Sequence, residues 1–282
     1  MSAGYDNVDV PMLRARGIPV GHTPRVLDDA VADIAMALLL TASRRLQEGR
    51  RAMEQGGWLA GRPQWMLGRD VAGSTVGVVG LGGIGQAFAR RARAFNIARL
   101  LYTGHRPKPE AQDLGAEFVS LDELLAQSDF VLCACPLNAE TQNLFDARAF
   151  GKMKNTATFI NVSRGGNCSR HAGSIANSTP LRGGQAEVGN LLDTADACRF
   201  AGCVDQDALL AALKSGQIWA AALDVMSPEP LPTDHPLLRQ HNCVLFPHCG
   251  SATIETRNAM ACRAAENILC GLEGKAMPSP IP

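Results

Sequence analysis

Residues 76–79 form an apolar, mostly β-branched run too short for a helix, and it ends abruptly in glycines at positions 80, 82, 83 and 85. An alanine-rich pattern closing on Arg90 and Arg91 follows at once. That order predicts strand, tight turn and helix. Further short apolar runs recur at 98–103, 130–134, 158–162, 218–225 and 243–246, with helical or looped stretches between them. Strands that alternate with helices predict an α/β fold built on a doubly wound parallel sheet, whose ligands bind at the carboxyl ends of the strands.

The flanks read differently. Residues 9–17 predict a short helix stopped by Gly17, and 18–20 a short strand, both fragments of something larger. Residues 26–56 carry one long helical pattern rich in Ala and Leu, apolar on more than one face at first, so this helix is either deeply buried or an oligomer contact. Residues 166–202 are rich in Gly, Ser, Asn and Thr without a sustained period, where a compact α/β unit would use a few residues, and are expected to be a disordered insert. Residues 254–282 predict a C-terminal helix.

Composition narrows the function class. The 282 residues hold 27 Lys plus Arg against 27 Asp plus Glu, so no global charge points to nucleic acid or an anionic membrane surface, and a small-molecule partner is expected. The apolar stretch at 34–42 is too short to span a bilayer, and the first residues lack the basic region and apolar core of a signal peptide. Nine cysteines, an odd number mostly set in apolar runs such as the one holding Cys133 and Cys135, read as buried thiols in a reducing compartment, the cytoplasm. Cys168, His171, Cys198 and Cys203 superficially resemble a metal site. Their segment has no turn chemistry to hold four ligands tetrahedrally, so no metal is expected.

The glycine run carries the first chemistry. Gly80 permits the turn, Gly82 lets the backbone approach a pyrophosphate, and Gly85 lets helix and strand pack closely, with Gly83 and Ile84 completing a Rossmann-type dinucleotide loop at a helix N-terminus. About 20 residues further on, an NAD site would carry an acid for the ribose hydroxyl. Here the strand runs into Gly104, His105, Arg106, Pro107 and Lys108, with no carboxylate before Glu110. Arg106, helped by His105 or Lys108, could pair with a 2′-phosphate, which favours NADP(H) over NAD(H). The alternative is an ordinary solvated basic loop.

Three later segments each end a predicted strand in polar chemistry, and they bring out Arg164, then Asp224 and Glu229, then His248. Singly these residues read as a turn, a rigid Pro-Glu-Pro bend and a loop histidine. Side by side on one sheet edge they suit reduction of a 2-oxo acid. Arg164 would bind the substrate carboxylate and polarise its carbonyl, while His248, kept protonated by Glu229, would deliver a proton. Asp224 could fix a nicotinamide carboxamide.

Residues 4–9, the glycine fingerprint, Tyr102-Thr103-Gly104, 159–165, 223–232 and 247–253 together resemble the D-2-hydroxyacid dehydrogenase family, and within it the glyoxylate/hydroxypyruvate reductases. The resemblance covers nearly the whole chain except 166–202. It implies Arg164, Glu229 and His248 as the catalytic trio, Asp224, Ser163 and Gly250 as cofactor contacts, and the backbone of Ala3 and Gly4 as substrate-carboxylate contacts. It also implies a homodimer, with residues 26–65 as the pairing arm. Glu229 argues against formate dehydrogenases, and the missing acid after Tyr102 against NAD-linked phosphoglycerate dehydrogenases.

Two departures from the family shape the expectation. Members begin with a flavodoxin-like substrate domain, of which residues 1–25 would be a truncated remnant, with 254–282 returning to it. The insert falls directly after Arg164, where a small misplacement can cost on the order of a hundredfold in rate, so impaired turnover is expected, as for the product of an alternative transcript or a gene-model error. A non-catalytic dimerising isoform and a nucleotide-sensing corepressor module are the alternative functions.

Overall fold

The computed structural model describes residues 2–6, 8–58, 61–164 and 202–281. The first helix, α1 (Val10–Ala15), starts where Asp9 accepts the Met12 N–H at 2.9 Å and stops at Gly17, whose φ of 64° ends the helix. Residues 18–20 form no strand; their place is taken by a single antiparallel bridge between Gly21 and Pro280. The long pattern at 26–56 is two helices, α2 (Asp28–Ser43) and α3 (Leu46–Glu54), broken at Arg45, whose φ is 54°. The first of these is the deeply buried one: Ala32, Ala35, Leu38 and Leu39 are wholly inaccessible.

The sheet follows the fingerprint. Strands β1 (Thr75–Val79), β2 (Arg99–Thr103) and β3 (Ala116–Phe118) alternate with α4 (Gly83–Arg93). After α5 (Leu121–Gln127) come β4 (Phe130–Cys133), α6 (Ala147–Lys152), β5 (Thr158–Asn161), α7 (Gln206–Ser215), β6 (Ala220–Leu223), β7 (Cys243–Leu245) and α8 (Ile254–Leu272). All seven strands are parallel, in the order β3-β2-β1-β4-β5-β6-β7, so the chain reverses its winding direction between β1 and β4. That reversal opens a crevice outside the carboxyl ends of β1 and β4. The edge strand β3, mostly exposed, gave no periodic signal in the sequence.

Both faces of the sheet are covered, which is why its central strands read as unbroken apolar runs. One core joins α2 and α4 to Val76, Val78, Leu132 and Ile160, and the other joins α5, α6 and α7 to Val79, Val131 and Phe159. At the far side the terminal segments are clasped by Asn267 of α8, only 4% exposed. Its Nδ2 donates to the His22 carbonyl at 2.9 Å and its Oδ1 accepts the Ser279 N–H at 3.0 Å.

Candidate active site

The fingerprint has the geometry its glycines require. Gly80 leaves β1 with a φ of 97°, and a Cβ there would fall 2.8 Å from the Cys135 backbone. A Cβ on Gly85 would strike the Gly80 carbonyl, whereas one on Gly82 meets no protein atom within 4 Å. The open side of Gly82, at the N-cap of α4, is thus backbone that another molecule can approach, and the turn fits a dinucleotide pyrophosphate on these grounds. Gly83 is hemmed instead by the Asp28 carboxylate, a neighbour that sequence spacing does not reveal. Burial raises the Asp28 pKa, Asp29 raises it further, and Arg25 and Arg90 pull it back.

Beyond the turn lies a cavity of about 390 Å³ lined by Ala3, Ile84, Arg164, Asp224, His248 and Gly250 among others. Elements far apart in sequence thus bring these expected site residues together. Leu27, Val31 and Met260 supply an apolar wall.

Arg164 projects just past the end of β5. Its Nε donates to Asp6 at 3.2 Å and its Nη1 to the Ser163 carbonyl at 2.9 Å, and its guanidinium lies against Gly4 so closely that a side chain there would clash. His22 Nδ1 pairs with the Ala3 carbonyl at 2.8 Å and ties this segment down. The Asp6 partner was missed by sequence reasoning, since nothing local links positions so far apart. Ser163 stands one step behind the cavity: its N–H and hydroxyl both donate to Asn161 Oδ1, at 3.0 and 2.6 Å. Arg164 lines the cavity, directly ahead of the stretch expected to disturb it. That stretch lies outside the described residues, as do Cys168, His171 and Cys198.

His248 sits at a φ of 51°, its backbone N–H donating to the Asp224 carbonyl at 2.8 Å and its Nδ1 2.7 Å from Glu229 Oε2. The other Glu229 oxygen accepts the Met226 N–H at 2.8 Å, which leaves the carboxylate aimed at the imidazole. An ionised Glu229 makes Nδ1 the protonated nitrogen and leaves Nε2 for a second partner. The hydrogen bond that His248 donates to Glu229 is the chief cause of its raised pKa, with burial opposing, the Glu229 and Asp224 charges adding and Arg164 subtracting. Asp224 is 2% exposed and accepts the Cys249 and Gly250 N–H groups, each at 2.9 Å. It therefore fixes the turn that presents His248.

The basic loop after β2 is drawn in by the Lys108 N–H, which donates to Tyr102 Oη at 2.9 Å. His105 pairs with Glu140 at 3.2 Å on the surface, and exposed Arg106 makes no hydrogen bond or ion pair among the described residues.

Residues 36–172 and 198–250 match the family model of the D-isomer specific 2-hydroxyacid dehydrogenase NAD-binding domain. The chain belongs to the D-2-hydroxyacid dehydrogenases. Among curated relatives of this family it is 47% identical to the human glyoxylate reductase/hydroxypyruvate reductase over 280 residues, 99% of this chain and 74% of that one. It is 43% identical to glyoxylate/hydroxypyruvate reductase B of Escherichia coli O9:H4 over 98% of this chain and 74% of the relative. Among solved dehydrogenase structures, an NADPH-dependent glyoxylate/hydroxypyruvate reductase from Sinorhizobium meliloti in complex with NADP and malonate superposes with a TM-score of 0.79 at 31% identity, covering 99% of this chain and 75% of that one. A protein from Thermus thermophilus superposes with a TM-score of 0.81 at 40% identity, covering 100% of this chain and 77% of that one. The dehydrogenase fold and the 2-hydroxyacid chemistry expected from the sequence are therefore those of its family. No helix among the described residues is long and apolar enough to cross a membrane.

Proposed function

We propose that this dehydrogenase reduces short 2-oxo acids with NADPH, glyoxylate to glycolate and hydroxypyruvate to D-glycerate. The observation that carries the reading is the Glu229–His248 pair at 2.7 Å, which presents His248 to the cavity that Arg164 and Ile84 of the glycine turn also line. Curated reductases with those two substrates in their names, at 47% and 43% identity, support the substrate class. When bound, the dinucleotide supplies the hydride.

The residues divide the remaining work. Arg164 takes the substrate carboxylate with the backbone of Ala3 and Gly4 and polarises the adjacent carbonyl. His248 gives its Nε2 proton to the carbonyl oxygen as negative charge develops there, and Glu229 stabilises the imidazolium beforehand. The apolar wall of Leu27, Val31 and Met260 excludes water and strengthens these charge interactions. Gly80, Gly82, Gly83, Ile84 and Gly85 cradle the pyrophosphate, and Arg106 with His105 takes a 2′-phosphate. Asp224, Ser163 and Gly250 complete the nicotinamide end, Asp224 by fixing the turn.

The catalytic form is a cytoplasmic homodimer in this reading. Buried Cys133, Cys135, Cys203 and Cys243 suit a reducing compartment, and the exposed Leu46 and Met53 of α3 suit a pairing surface. The test is NADPH oxidation by the purified chain with hydroxypyruvate and glyoxylate. Turnover is expected, and His248→Ala lowers kcat by roughly 10²–10⁴ without loss of NADPH binding. A folded chain that binds NADPH and turns over neither substrate overturns the reading.

A further inference from the structure

Three cysteines that take no part in this chemistry meet behind Arg164. Cys133 ends β4, Cys135 lies two residues further on, and Cys203 arrives from beyond the undescribed stretch. Their Sγ atoms all lie within 4.8 Å of one another, Cys133 to Cys135 at 3.7 Å and Cys135 to Cys203 at 4.0 Å. A tetrahedral zinc with Zn–S bonds of about 2.3 Å needs sulfurs about 3.8 Å apart. A fourth donor is present, because Ser163 Oγ lies 3.3 Å from Cys133 Sγ. Single buried thiols pack as small apolar groups. Three free ones at metal-ligand spacing, with a hydroxyl beside them, form a donor set.

We propose that Cys133, Cys135 and Cys203 hold one thiophilic divalent cation of the zinc class, with the Ser163 hydroxyl or a water as fourth ligand. Each thiol releases its proton to solvent as its sulfur–metal bond forms, and no electron is transferred. The site bears on Arg164 through the backbone, since the Cys203 N–H donates to the Arg164 carbonyl at 3.3 Å and Ser163 directly precedes it. Occupancy would pin both ends of the stretch between Arg164 and Cys203. Its effect on turnover rests on the reading of Arg164 above, whereas the site itself does not.

The experiment uses the full chain, reduced and freed of metal under anaerobic conditions. It carries Cys168→Ser, Cys198→Ser, Cys262→Ser and Cys270→Ser to silence other thiols, and it is titrated with Co²⁺. Thiolate-to-cobalt charge-transfer bands and intense tetrahedral d–d bands are expected to saturate at one equivalent per chain and to bleach when Zn²⁺ is added. Cys203→Val and Cys135→Ser, each verified as folded by circular dichroism, are expected to lose them. The absence of bands in the folded parent, or their persistence in either folded variant, overturns the proposal. So does a thiol count on the chain as isolated, before reduction, showing that two of the three sulfurs are already joined in a disulfide.

Discussion

At the residue scale, the proposed reaction takes its pH response from His248 and Glu229. The proposed reduction draws its proton from His248, whose pKa stands above the ordinary imidazole value chiefly through Glu229. The rate of reduction should therefore hold on the acid side and fall as pH rises through that elevated pKa. Glu229→Gln should move the fall to lower pH by roughly one to three units, the usual influence of an adjacent opposite charge; an unmoved kcat/KM profile would contradict the pairing. Folding stability follows the same sign, since the Glu229 contact to the charged imidazole is complete at low pH and fades as pH rises through the folded pKa. Asp28 acts the other way. A phosphate brought to the fingerprint meets this carboxylate beside Gly83, so dinucleotide affinity should weaken as pH rises through the raised Asp28 pKa. Two such charges repel by about 1 kcal/mol in water at short range, so Asp28→Asn should tighten NADPH roughly fivefold and flatten the dependence, as read by fluorescence titration. The proposed trio was legible in the sequence because Arg164 and His248 follow closely on strands β5 and β7 and Glu229 lies in the loop after β6. Asp28 and Asp6 were not, since only the fold brings them beside Gly83 and Arg164.

At the element scale, the turn from β1 into α4 separates folding from binding. Gly85→Ala must push α4 away from the Gly80 carbonyl, an overpacking that costs about 1–3 kcal/mol and should lower the Tm by several degrees. Gly82→Ala meets nothing in the protein and should keep the Tm, yet weaken NADPH binding because its methyl enters the open side of the turn. Equal thermal shifts for the two variants would refute this assignment. The central strands could be read because burial on both faces writes them as apolar runs. The break between α2 and α3 could not, since Arg45 in a left-handed conformation carries no glycine to announce it. Likewise β3, half paired and mostly exposed at the edge, has no burial to impose a pattern.

At the scale of the whole molecule, the expected sheet is present with ligand groups at its carboxyl end, while the terminal segments followed rules that local sequence does not express. Their union depends on Asn267, whose amide is spent on chain from both ends. Asn267→Ala would leave the Ser279 N–H and the His22 carbonyl without partners, at about 1–3 kcal/mol. Faster hydrogen exchange at 20–23 and 278–281, together with a higher KM for hydroxypyruvate, is the expected result, because His22 also ties down Ala3. Unchanged exchange would mean that the clasp is not what orders those residues. A second union lies at the centre of the sheet. Asn161 accepts both donors of Ser163, which leads to Arg164, and its carbonyl accepts the Asp224 N–H at 2.9 Å, which leads through the next turn to His248. Arg164 and His248 are thereby surveyed from one benchmark. Strain arriving along β5 carries both in the same direction, and the spacing between them is the dimension of the cavity that it disturbs least.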